Sequence, residues 1–267
     1  MRNTAKYFSP SSNIRKLFTP PDSQIRPLDG LRALSILWVI AFHTAFLAGL
    51  FISKERYEVL LSSKILRPVW TGTYGVDVFF VMSGFLICRL LIQEYDASGR
   101  IYLRRFYLRR ALRLLPAYYL SLGIFYFFKR DDPSTIWANL LYVNNFIPWA
   151  RQYMQWAWSL AIEEQFYIVF PIFFVSLYQL RRGRLAILFS LLALAVIIRL
   201  LIFVYQAPHS YIDALYVKPY ARYGAILCGV IAAYLVNYTR VIEVITRSPG
   251  LVSVSLMLVG LGIAVLS

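Results

Sequence analysis

The stretch RPLDGLRALSILWVIAFHTAFL, Arg26 to Leu47, decides the fold. From Ala33 onward it is apolar for about 20 residues, the length needed to cross a hydrocarbon core of ~30 Å. Yet Arg32 stands at its entrance and His43 lies inside it. A charged side chain at the centre of an isolated membrane helix costs about 2.5–3.5 kcal/mol, so such residues usually face a bundle interior or a wet cavity. Arg32 and His43 are eleven positions apart. At ~100° per residue that is about three full turns, so a helix places both on one side, separated by a rise of about 16 Å. The spacing predicts one polar stripe, running from the membrane mouth at Arg32 to His43 near the bilayer centre.

Similar apolar runs recur along the 267 residues, of which 59% are hydrophobic, 17% aromatic and only 15% charged. A soluble domain of this size would be far more polar. The fold class is therefore an all-α, polytopic transmembrane helix bundle with about seven or eight membrane segments. The runs are Ala33–Ile52, Tyr74–Ile92, Leu114–Phe128, Trp158–Leu180, Leu185–Tyr205, Pro219–Val236 and Leu251–Ser267. WANLLYVNNFIPWA, residues 137–150, is a partial or re-entrant segment. Residues 1–25 are polar and basic, lack the apolar core of a signal peptide, and form a flexible cytoplasmic tail. Residues 26–267 form one transmembrane domain.

The net charge of +15 would suggest nucleic acid in a soluble protein. Here it follows from basic residues gathered in cytoplasmic segments, and no nucleic-acid partner is expected. With the N-terminus cytoplasmic in a cell (inner) membrane, Arg100 to Arg113, Arg181, Arg182, Arg184, Arg240 and Arg247 all fall inside. Asp131, Asp132, His209 and Asp213 fall outside. Cys88 and Cys228 are lone residues in apolar runs, neither a disulfide framework nor a zinc site. His43 and His209 lie too far apart in depth to share a metal.

Three further clusters carry chemistry. GVDVFFVMSGFLI, Gly75 to Ile87, places Asp77 near the outer end of its span and offers Ser83 and Gly84 as small residues for close helix approach. RRFYLRRALRLLPAYYL crowds Arg104, Arg105, Arg109, Arg110 and Arg113 together. Topology control and attraction to anionic lipid account for much of that charge. Arg110 and Arg113, three apart, also project to the same side of a helix, as bidentate phosphate contact requires. WSLAIEEQFYIVFP, Trp158 to Pro171, opens a span with two adjacent glutamates. Successive helical residues point about 100° apart, so only one of Glu163 and Glu164 can face a given cavity. Trp156, Trp158, Phe166 and Tyr167 fit an interfacial aromatic belt.

LDGLRALSILWVIAFH, GVDVFFVMSGFLI, FYLRRALRLLPAYYL and WSLAIEEQFYIVFP, in this order between Arg26 and Pro171, closely resemble the acyltransferase-3 family of integral membrane acyltransferases. YVKPYARYGAILCGVIAAYL resembles a weaker block of that family, with Arg222 before a glycine-containing helix. Members usually carry several more spans, and some add an extracytoplasmic hydrolase-like domain. By the family's spacing, Arg32 and His43 are the basic–histidine pair of the first helix, Arg110 and Arg113 the cytoplasmic arginine pair, and Glu163 the acidic position five after Trp158.

The resemblance implies a cell-envelope enzyme. It moves an acyl group, by default acetyl, from cytoplasmic acyl-CoA to a hydroxyl of an extracytoplasmic or lipid-linked glycan. Acyl-CoA is a co-substrate and no bound cofactor or metal is expected. The partners are membrane lipid, the acyl-CoA and the hydroxyl acceptor. The expected catalytic residues are His43 and Glu163, and the donor-binding residues Arg32, Arg110 and Arg113. Asp29, Asp77, Ser83 and Arg222 are candidates for acceptor contact or support. The competing reading is a proton-coupled transporter or flippase using the same intramembrane His and Glu, although the chain shows no inverted repeat of broken helices.

Overall fold

A computed structural model describes residues 26–128, 132–180, 182–205, 211–240, 243 and 247. Among them all regular structure is helical: α1 (Arg26–Ala48), α2 (Lys54–Ser62), α3 (Arg67–Trp70), α4 (Tyr74–Ser98), α5 (Leu103–Phe128), α6 (Ile136–Leu140), α7 (Trp158–Gln179), α8 (Arg184–Tyr205) and α9 (Pro219–Tyr238). Six of these, α1, α4, α5, α7, α8 and α9, are long and apolar enough to cross a membrane. The expected span at Leu251 to Ser267, the tail before Arg26 and His209 lie outside the described residues.

Two helices begin well before their apolar runs. α1 starts at Arg26 rather than Ala33, with Asp29 in its first turn where the helix dipole favours a carboxylate. α5 starts at Leu103 rather than Leu114, so Arg110 and Arg113 belong to the helix itself. His43 consequently falls five residues from the C-terminal end of α1, beyond the helix midpoint.

The core is built by α4, α7 and α9, whose spans are nearly half buried, whereas α1 and α8 turn almost their whole surface outward. Leu34, Leu37, Ile40, Leu200 and Phe203 are exposed there, as suits a helix surface whose solvent is lipid. Phe80, Leu91, Ile162, Phe174, Ile226 and Val230 are fully enclosed between α4, α7 and α9. α4 and α9 make the most extensive helix–helix contact. At their crossing Gly84 faces the carbonyl of Ile226, and Gly229 faces the carbonyl of Val81 and the amide of Phe85. The two glycines are reciprocal: each leaves room for the other helix's backbone.

Residues 137–150 do not form a spanning helix. They fold as the end of α6 and two 3-10 turns, Asn144–Phe146 and Trp149–Arg151. Irregular backbone survives at membrane depth only where protein surrounds it and satisfies its polar groups. Asn139, Asn144 and Asn145 are fully buried here. Asn139 exchanges side-chain hydrogen bonds with the backbone of Met154, and Asn144 donates to Gln152. Gln165 of α7 donates to Tyr142 O, at 2.8 Å, and pairs with Asn145. Tyr142, with φ 54°, takes the left-handed turn that this arrangement needs.

Candidate functional site

α1, α4, α5 and α7 enclose a cavity of about 160 Å³. Its polar lining is Arg32 from α1, Ser83 from α4, Arg110 and Arg113 from α5, and Glu163 and Tyr167 from α7; Phe79, Met82, Leu86 and Leu114 close the rest. Arg110 lies seven residues, about 10 Å, inside the start of α5. Glu163 and Tyr167 lie five and nine residues inside the start of α7. Arg110 from α5 and Glu163 and Tyr167 from α7 thus line one cavity.

Local helix geometry explains the lining. Arg110 and Arg113 share one face of α5, and Tyr167 follows Glu163 by one turn. The Tyr167 hydroxyl lies 2.8 Å from Glu163 Oε2 and 3.1 Å from Ser83 Oγ. The shorter of the two is the bond that Tyr167 donates to the Glu163 carboxyl group. Ser83 is unusual in meeting another helix. Ser35, Ser98, Ser121 and Ser176 each return their hydroxyl to the carbonyl one turn earlier in their own helix. On the other side of Tyr167, the Arg110 guanidinium carbon sits 4.0 Å from the ring centroid. Arg32 makes a loose pair with Asp29, 3.6 Å apart, both partly exposed. Guanidiniums outnumber carboxylates three to one in the lining.

The structure thus brings together Arg32, Arg110, Arg113, Glu163 and Ser83, five of the residues that the sequence singles out, and adds Tyr167. Glu164 is not in the lining, as the 100° offset between neighbouring residues requires. Tyr167 is visible in the sequence as the residue one turn after Glu163. Its placement in an interfacial belt is nevertheless overturned: Tyr167, Phe166 and Trp158 are buried in the core, and only Trp156 is exposed.

His43 does not line this cavity. It shares the flank of α1 with Arg32, a rise of about 16 Å further on, with an exposed ring. Phe42 meets it edge-on, with centroids 5.2 Å apart. Its Nδ1 lies 2.8 Å from Val39 O. A carbonyl only accepts, so Nδ1 carries the proton and, in the neutral ring, Nε2 holds the lone pair.

Asp77 and Arg222 form a second group, away from the cavity. Arg222 Nη1 lies 2.8 and 3.0 Å from the two Asp77 oxygens, and its Nε donates to Tyr216 O. Its guanidinium faces Tyr216 and, more distantly, Trp158. Arg222 is buried and Asp77 partly so. The pair ties the first turn of α4 to that of α9, and removing one member of such a pair typically costs about 3–5 kcal/mol when it is fully buried.

The chain is 34% identical over 229 residues to the Staphylococcus aureus (strain COL) protein named "Putative O-acetyltransferase SACOL0978", covering 78% of this chain and 34% of that one. It is 32% identical over 179 residues to the O-acetyltransferase OatA of S. aureus (strain NCTC 8325 / PS 47), covering 60% of this chain and 26% of OatA. The chain thus spans about a third of the length of the curated relatives it matches. No solved structure matches it. A family model for an acyltransferase domain matches residues 25–267, nearly the whole chain, and the protein belongs to this acyltransferase-3 family.

Proposed function

We propose that this chain transfers an acyl group, acetyl by default, from cytoplasmic acyl-CoA to a hydroxyl of an extracytoplasmic or lipid-linked glycan. The observation that carries the reading is the convergence of Arg32, Arg110 and Arg113 on one cavity inside a membrane bundle. Three guanidiniums are costly at membrane depth unless a polyanion or fixed dipoles meet them. The phosphates of CoA supply that charge and suit the planar guanidinium fork. In this scheme residues 1–25 are a cytoplasmic tail and residues 26–267 the transferase domain. Six alternating crossings return residues 240 and 247 to the side of the N-terminus. Arg100 to Arg113, Arg182, Arg184, Arg240 and Arg247 then share the cytoplasmic face, as the positive-inside rule demands.

The donor enters from that face, with its phosphates held by the three arginines. The pantetheine arm carries the thioester along the flank of α1 towards His43. The Nε2 lone pair of His43 takes the proton of an attacking hydroxyl, or accepts the acyl group and passes it on. Either way the glycan oxygen gains the acyl group and CoA leaves as the thiol. Glu163, held by Tyr167, balances the arginines and orients the donor end. Asp77 and Arg222 support the outer ends of α4 and α9.

Inside-out vesicles test this directly. Labelled acetyl-CoA offered to the cytoplasmic face is expected to label the glycan or lipid fraction in proportion to the amount of this chain. Equal labelling when acetyl-CoA is offered only to the opposite face would contradict the scheme.

A further inference from the structure

In the donor reading Tyr167 only holds Glu163, yet its side chain also links α7 to Ser83 of α4 and Arg110 of α5. Its hydroxyl is fixed between Glu163 Oε2 and Ser83 Oγ, on two different helices. Its ring face carries Arg110, from a third helix, at 4.0 Å. We propose that Tyr167 is a positioning residue for donor recognition. It acts as the platform that sets the plane of the Arg110 guanidinium, and Glu163 and Ser83 hold that platform in place. The proposal rests on the arginine cavity being the acyl-CoA phosphate site.

The physics is that of a stacked guanidinium. Arginine has five N–H donors around the rim of a plane and none on its faces. Laying one face on an aromatic ring keeps the rim free for phosphate oxygens and removes rotamer freedom before the ligand arrives. A ring that could itself rotate would not do this. The Tyr167 ring is restrained at its far end by the hydroxyl bonds. Arg113 lines the same cavity without such a platform among the described contacts, so the two arginines of the pair are not equivalent.

The test measures CoA affinity of the detergent-solubilised chain, alone and in a double-mutant cycle. Tyr167→Phe keeps the ring but removes the hydroxyl bonds that restrain it, and is expected to weaken CoA binding less than Tyr167→Leu does, since the ring-face cation contact itself survives. Tyr167→Leu is expected to weaken binding by about five- to tenfold, the scale of a partly desolvated cation–π contact. In an Arg110→Ala background, Tyr167→Leu is expected to add little, because two residues acting as one unit are not additive. Thermal unfolding of each variant is followed in parallel. A general packing role would lower the melting temperature and weaken binding equally in both backgrounds, and that result would overturn the proposal. So would CoA affinity unchanged by Tyr167→Leu. Absence of CoA binding by the unaltered chain would instead remove the donor site, and this inference with it.

Discussion

Gly229→Ala is expected to leave little correctly folded protein. In an ordinary helix interior this change is favourable by about 1 kcal/mol, because glycine is the poorer helix former. Here the new methyl would run into the carbonyl of Val81 and lie 2.7 Å from the amide of Phe85. Both are backbone atoms in the middle of α4, and neither has a rotamer by which to move aside. The helices must separate, and the enclosed side chains Phe80, Leu91, Ile226 and Val230 then lose contact along the most extensive interface of the bundle. Over-packing of a tight core costs roughly 1–3 kcal/mol and more where backbone must shift. Gly84→Ala meets the Ile226 carbonyl and should behave alike. Gly123→Ala is the control, since its methyl enters open space. Melting temperature and monodispersity in detergent should fall for the first two and hold or rise for the third. An unchanged melting temperature for Gly229→Ala would mean that α4 and α9 are not so close.

His43→Ala is expected to reduce acyl transfer by about 10²–10⁴-fold, the range for removing a general acid–base group. The same change should hardly affect insertion or stability. The His43 ring is exposed, and its hydrogen bond goes to Val39 in its own helix, with Phe42 as its aromatic neighbour. Truncating it opens no cavity and strands no buried partner. The measurement is label incorporation per unit of folded protein in inside-out vesicles. Near-normal transfer by the variant would move the reacting base elsewhere, with Glu163 the first place to look.

Hydropathy locates most of the bundle because most of it is uniformly apolar. The starts at Tyr74, Trp158, Arg184 and Pro219 fall within a residue of the apolar runs. It fails at α1 and α5 for one physical reason: their first turns are helical but charged, and an apolar window cannot see them. That error moves His43 towards one end of α1 and draws Arg110 and Arg113 into their span. The pairing of Arg110 with Arg113 is legible, since a three-residue spacing on a helix needs no tertiary knowledge. The meeting of those arginines with Glu163 is not, because it depends on how α5 and α7 pack. Tyr167 shows both sides. Its one-turn spacing from Glu163 can be read from the sequence, whereas its contacts with Ser83 and Arg110 come from two other helices. An aromatic residue at a span's entrance resembles a belt residue until packing buries it.

If the arginine cavity binds the donor, CoA affinity with and without Arg113 reports it. Arg113→Ala removes a guanidinium that lines the cavity and leaves the Tyr167–Arg110 stack untouched. The loss of charge-assisted hydrogen bonds to phosphate predicts a dissociation constant raised by about tenfold or more. Dephospho-CoA should show a smaller change if the 3′-phosphate is the group that Arg113 holds. A dissociation constant for CoA unchanged by Arg113→Ala, in a variant that melts like the unaltered chain, would place the donor phosphates elsewhere.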